Sequence, residues 1–161
     1  MKVGIIVYSR TNHTISVAQK ICDALISEHH DAEVLPITVK NDDPTTGEKI
    51  VLDKNPNYDA FDVIIFGSPV WAFSLCPVMK QYLSMGSSLS GKAVHCFVTH
   101  HFSFPFLGGN RSVRTMTNLC RAKEADVRKT GVVSWSSKKR ASKIEQIVRD
   151  FSTIEEGKVI S

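Results

Sequence analysis

Five short, mostly apolar runs punctuate the chain: Val3 to Tyr8, Glu33 to Ile37, Val63 to Phe66, Val94 to Val98 and Val132 to Trp135. They are continuous rather than alternating, which predicts strands buried on both faces, as in a parallel sheet covered by helices. Between the first two runs, Ile15, Ala18, Ile21, Cys22, Leu25 and Ile26 recur at spacings of three and four, the rhythm of a helix packed along one side. The first unit therefore reads as βαβ.

The Glu33 run contains Pro36, which cannot donate to a ladder, so this strand is expected at the sheet edge. Residues 40 to 60 are polar and hold Pro44, Gly47 and Pro56, so the second crossover is expected to carry a stub of helix at most. Pro77 to Tyr82 reads as a helix with proline in its first turn and Gly86 as terminator. Gly109 to Leu119 and Lys139 to Phe151 supply two more. Strand and helix alternate throughout, which implies an α/β chain: one doubly wound parallel sheet of about five strands, helices on both faces, and ligands outside the carboxyl ends of the strands.

Composition narrows this picture. With 161 residues, 42% hydrophobic and 22% charged, there is room for a single domain spanning residues 1–161. A net charge of +4 is too mild for a dedicated nucleic-acid arm. No apolar stretch approaches the roughly 18 residues of a membrane span, and no charged-then-apolar leader precedes Val3, so a cytoplasmic protein is expected. Cys22, Cys76, Cys96 and Cys120 are far apart in sequence and form no CxxC pair, in keeping with a reduced compartment and no zinc cluster.

The candidate chemistry sits in three loops. Directly after the first strand, Ser9-Arg10-Thr11-Asn12-His13-Thr14 runs into a helix, where hydroxyls, first-turn N–H groups and the helix dipole can converge on a phosphate; simple helix capping by the same residues is the alternative. After the third strand comes Gly67-Ser68-Pro69-Val70-Trp71-Ala72-Phe73-Ser74-Leu75-Cys76-Pro77, whose rings either offer a flat surface to a planar ligand or pack into the core. The third loop, Thr99-His100-His101-Phe102-Ser103-Phe104-Pro105-Phe106-Leu107, concentrates phenylalanine as a cover, a partner face or a dimer contact, or folds back over the sheet. His100-His101 has no third ligand nearby, so no metal is assigned. Gly86 to Lys92 fits most of a nucleotide P-loop, yet Ala93 replaces the Mg-binding hydroxyl and the segment precedes a strand, which marks a helix-to-strand turn. Nothing obvious near Cys76 supplies a base, so it reads as a packing cysteine.

Taken together, the first loop, Tyr58-Asp59-Ala60-Phe61-Asp62 leading through the strand into Pro69-Val70-Trp71, and Gly108-Gly109-Asn110 after Phe97-Val98-Thr99 resemble the flavodoxin family, over nearly the whole chain and in order. The resemblance is to the short-chain type and implies FMN as cofactor and strand order 2-1-3-4-5. It implies FMN phosphate held by Ser9, Arg10, Thr11, Asn12, His13 and Thr14, a flavin ring lined by Pro69, Val70, Trp71, Ala72 and Phe73, and a third wall from Thr99, His100, His101, Phe102 and Gly109. Family phosphate loops usually read Ser-x-Thr-Gly-Asn-Thr, whereas Asn12 and His13 stand here in place of the Gly-Asn pair. Ala72 stands where many flavodoxins have glycine, so a positive φ there would cost roughly 1 kcal/mol more than with glycine.

The implied function is electron carriage between redox partners, with no catalytic protein residue. An NAD(P)H-dependent quinone or flavin reductase on the same scaffold and a flavin-free interaction module are the alternatives. Charge placement adds one expectation: from Val63 to Lys123 there is no Asp or Glu, while Lys80, Lys92, Arg111, Arg114, Arg121 and Lys123 are basic. An acidic partner or an anionic reductant such as NAD(P)H is therefore expected on this side, with a hydroquinone potential less negative than that of an acidic flavodoxin. A homodimer through residues 102–107 is a further expectation.

Overall fold

The computed structural model of the protein describes residues 1–40, 49–102, 104 and 106–155. Five strands, β1 (Lys2–Val7), β2 (Asp31–Pro36), β3 (Val63–Trp71), β5 (Ala93–His100) and β6 (Asp126–Ser134), form a parallel sheet in the order β2-β1-β3-β5-β6, and a two-residue β4 (Ser74–Leu75) pairs antiparallel with the end of β3. Because β4 stands off the main path, this is the order 2-1-3-4-5 expected from the sequence. Helices α1 (Asn12–Ser27), α2 (Pro77–Met85), α3 (Gly109–Ala122) and α4 (Arg140–Ser152) complete the alternation.

The continuous apolar runs are buried on two sides. Ile5, Val7, Ile65 and Phe97 face α1 and α4, meeting Val17, Ile21, Leu25, Ile144, Ile147 and Phe151. Ile6, Ile64, Phe66 and Val98 face the opposite way, toward Met79, Tyr82 and Leu83 of α2, Met116 of α3, and Tyr58 and Phe61 of the second crossover. The described part of that crossover contains no helix, and residues 41–48, with Pro44 and Gly47, lie outside the described residues.

Two strands run further than their apolar cores suggest. β6 starts at Asp126, well before Val132, because it is an edge strand whose first half alternates exposed and half-buried residues instead of being apolar throughout. β3 continues past Gly67 through Pro69 to Trp71. Its neighbour β1 ends opposite Gly67, so beyond that point β3 has a partner on one side only and a residue without an N–H is tolerated.

The segment from Gly86 to Lys92 joins α2 to β5, with Lys92 Nζ donating to the carbonyls of Asp59 and Phe61 at 2.9 and 2.7 Å. Its ammonium is engaged by backbone in the helix-to-strand turn that the sequence predicts.

Candidate functional site

The loop leaving β1 turns into α1 at Thr11, the N-cap, whose extended backbone (φ −105°, ψ 163°) is that of a capping residue but whose side chain makes no capping hydrogen bond. The first turn holds no acidic residue. Arg10, Thr11 and Asn12 are exposed, and the Ser9 hydroxyl turns to the Thr11 carbonyl. Thr14 points the other way: it is buried, and its hydroxyl meets that of Thr99 at 2.8 Å, tying the first turn of α1 to the end of β5. Thr14 and Thr99 form a floor beneath the loop, while Ser9, Thr11 and Asn12 form its outer rim.

His13 lies flat on Trp135, ring centroids 3.8 Å apart and planes 11° from parallel. The Arg140 guanidinium also lies on Trp135, 4.8 Å from its centroid, and donates to the Trp135 carbonyl at 2.8 Å. Burial lowers the pKa of His13, and the nearby Arg140 and His101 lower it further. Trp135 and Arg140 are absent from the sequence-derived site. The signal was Trp135 at the carboxyl end of the fifth run, but its meeting with His13 brings together residues at opposite ends of the chain.

In the second loop β3 and β4 form a hairpin. Trp71 pairs with Ser74 across a two-residue turn in which both central residues have positive φ, Ala72 at 47° and Phe73 at 61°, the pattern of a type I′ turn. Glycine and asparagine are the usual occupants. Two side-chain-bearing residues there store strain, on the order of 1 kcal/mol or more each. Trp71 is half-buried, edge-on to Tyr8 with centroids 6.0 Å apart, and Arg10 stands 5.6 Å from its ring centroid. Pro69 and Val70 are half-buried behind it, and Phe73 is exposed.

The third loop closes against this hairpin. Phe102 stacks on Phe73 with centroids 5.1 Å apart and planes at 14°, so the rings do not fold into the core. Gly108 (φ 100°) precedes α3, and the backbone of Phe73 fills the space a side chain there would need. Gly109 is buried against Val132 and His100. His100 is itself buried, with Nε2 at 2.7 Å from the Ser134 hydroxyl; burial and then His101 lower its pKa. Its Nδ1 and the Ser112 hydroxyl are buried without a hydrogen-bond partner among the described residues. His101 and Phe102 are exposed, while Ser103 and Pro105 lie outside the described residues. Burial pushes the Cys76 thiol up to about 11, despite backbone N–H groups that favour the thiolate, which is the behaviour of an inert packing cysteine.

The three loops thus converge at one end of the sheet. They bring together donors without carboxylates, an exposed aromatic hairpin tip and an aromatic third wall. No helix among the described residues is long and apolar enough to cross a membrane.

No protein-family model matches the chain, and no curated protein matches its sequence. Solved structures do match its backbone. A flavodoxin from Streptococcus pneumoniae superposes with a TM-score of 0.67 at 14% identity, covering 94% of this chain and 98% of that one. Oxidised flavodoxin 1 from Bacillus cereus gives 0.67 at 16% identity, covering 96% and 100%. A WrbA-like flavodoxin protein from Agrobacterium tumefaciens gives 0.64 at 13% identity, covering 94% and 92%. At these identities the likeness establishes a flavodoxin-like fold.

Proposed function

We propose that this flavodoxin-like chain binds FMN across the three loops at the carboxyl end of its sheet and carries electrons between redox partners. The observation that carries the reading is one juxtaposition. An α1 N-terminus whose capping residue makes no side-chain cap, with no acid in its first turn, lies beside a strained hairpin that holds Trp71 half-buried and exposes Phe73. Strain held at a loop tip is a feature of ligand sites.

The donor set fits a phosphate. The hydroxyls of Ser9 and Thr11, the Asn12 amide and the first N–H groups of α1 would hold it, with Arg10 adding positive charge and the His13 ring an N–H donor. Thr14 and Thr99 brace the loop from beneath. Pro69, Val70, Trp71, Ala72 and Phe73 would line the ring on one side, and His100, His101, Phe102 and Gly109 would close the third wall. When bound, the flavin supplies the redox chemistry, one or two electrons at a time. The chain's own residues bind, orient and shield, and none is assigned as acid, base or nucleophile. Matches to structures described as flavodoxins support the reading.

The acid-free rim, which suits an anionic reductant, favours a second reading, an NAD(P)H-dependent reductase on the same site. Reconstitution with FMN, followed by anaerobic stopped-flow mixing with NADH and NADPH, separates the two. Flavin uptake with slow or absent bleaching is expected. Rapid direct bleaching would replace the carrier with the reductase, and no flavin uptake would defeat both.

A further inference from the structure

We infer that the β3–β4 hairpin tip, the loop after β5 and the first turns of α3 form a docking surface for an acidic partner protein, the electron-exchange partner if the carrier reading above holds. Phe73, Phe102, Phe104 and Phe106 are 50%, 42%, 56% and 72% exposed, half of all phenylalanines in the chain. Isolated exposed apolar residues are ordinary, but contiguous aromatic ones mark an interaction surface. These rings are already ordered in pairs: Phe73 on Phe102, and Phe104 on Phe106 with centroids 5.3 Å apart and planes at 17°. Little side-chain entropy remains to be lost on docking.

Charge selects the occupant. The loops leaving β1, β3, β5 and β6 at this end contain no Asp or Glu. None of the four helices has an acid in its first turn, although that is where acids are most stabilising. The helix N-termini therefore add their partial positive charge without compensation. Arg111 and Arg114 are exposed on the first two turns of α3 and share one helix face, on the helix whose N-cap Gly108 packs against Phe73. Asp59, Asp62, Glu124 and Asp126 lie instead at the amino ends of β3 and β6, where Lys92 and Arg128 stand among them, so it is the acid-free loops that would steer an acidic protein onto this end.

A second copy of the chain is disfavoured, because a two-fold contact would set this basic face against itself. An anionic bilayer also attracts basic side chains, but α3 opens from its N-cap Gly108 with no side-chain cap. Its first N–H groups would stay unpaired in hydrocarbon, whereas a protein's carboxylates can accept from them.

The test uses rubredoxin as acidic probe and cytochrome c as basic probe, each mixed with the reduced FMN-loaded protein across a range of salt. The rate with rubredoxin is expected to fall at least about tenfold between low salt and roughly 0.5 M, where the Debye length is only ~4 Å, and the rate with cytochrome c to rise. Arg111→Glu with Arg114→Glu should reverse both slopes. Phe106→Ser should slow rubredoxin at all salt concentrations. Hydrogen–deuterium exchange with and without rubredoxin should show protection over residues 102–114. This footprint is read equally well on flavin-free protein, so failure to take up FMN would defeat the carrier reading and still leave the docking surface tested. A rubredoxin rate that ignores salt and the arginine variants, or protection elsewhere, would overturn the inference. So would co-sedimentation with phosphatidylserine vesicles that the arginine variants abolish, which would assign the face to lipid.

Discussion

Gly108 is packed so tightly on the hairpin that a β-carbon at this position would stand 2.6 Å from the α-carbon of Phe73 and 2.9 Å from its carbonyl oxygen. The obstacle is backbone, which cannot rotate away, and the φ of 100° at Gly108 independently disfavours any other residue. This contact is the hinge between the second and third loops. Gly108→Ala should cost about 2 kcal/mol or more in urea unfolding, by adding left-handed strain to a steric clash. If the loops jointly hold flavin, FMN affinity should fall more than folding stability alone explains. Unchanged unfolding would show that the two loops are not in contact.

Ala72 adopts φ 47° at the first central position of a type I′ turn, a position that asparagine occupies far more readily. Ala72→Asn should therefore stabilise the fold by about 0.5–1 kcal/mol, and Ala72→Val should destabilise it by more than that. Urea midpoints of the pair check the sign of each, and a stabilising valine would be incompatible with this turn.

His95 is 3% exposed with Nδ1 unpaired among the described residues, and its pKa is pushed down to about 4 by burial, aided by Lys129 and Arg128. The unfolded chain takes up this proton near the ordinary histidine value of about 6.5, so between about 6.5 and 4 the unfolded state binds more protons. Stability from this group is complete above that range and is lost as pH falls through it, by up to roughly 3 kcal/mol. His95→Gln should flatten the fall in urea midpoint between about pH 7 and 4.5. An equal slope in both proteins would show that His95 does not carry it.

Arg140 rests on Trp135 beside His13, at the edge of the first loop. Arg140→Gln should weaken FMN binding about five- to tenfold at low salt, with a smaller effect on riboflavin, which lacks the phosphate. Fluorescence titration of both ligands decides this. Equal losses for the two would assign Arg140 to ring packing instead of phosphate recognition.

Lys92→Met should cost about 1 kcal/mol, because the part-buried Phe61 carbonyl loses a charged donor, while the exposed Asp59 carbonyl can turn to water. It should leave nucleotide triphosphate binding at background, as in the parent protein. Measurable ATP affinity abolished by the substitution would restore the P-loop reading of residues 86–92.

The local sequence determined the β/α alternation, the parallel sheet with Pro36 at its edge, and the three loops at one end, because runs buried on both faces and amphipathic helices are written residue by residue. It also determined the acid-free stretch from Val63 to Lys123. It under-read β6, whose first half is amphipathic edge, and missed the β4 hairpin, since Gly67-Ser68-Pro69 carries loop composition inside a strand. Only tertiary structure decided which members of each motif face outward. Thr14 and Ser9 sit in one run of hydroxyls, yet packing against Thr99 turns the first inward. Trp135 reads as the end of an apolar run until the fold lays His13 and Arg140 on its ring. Periodicity is a property of neighbours along the chain, whereas a site is made by residues that the sheet order brings together from its two ends.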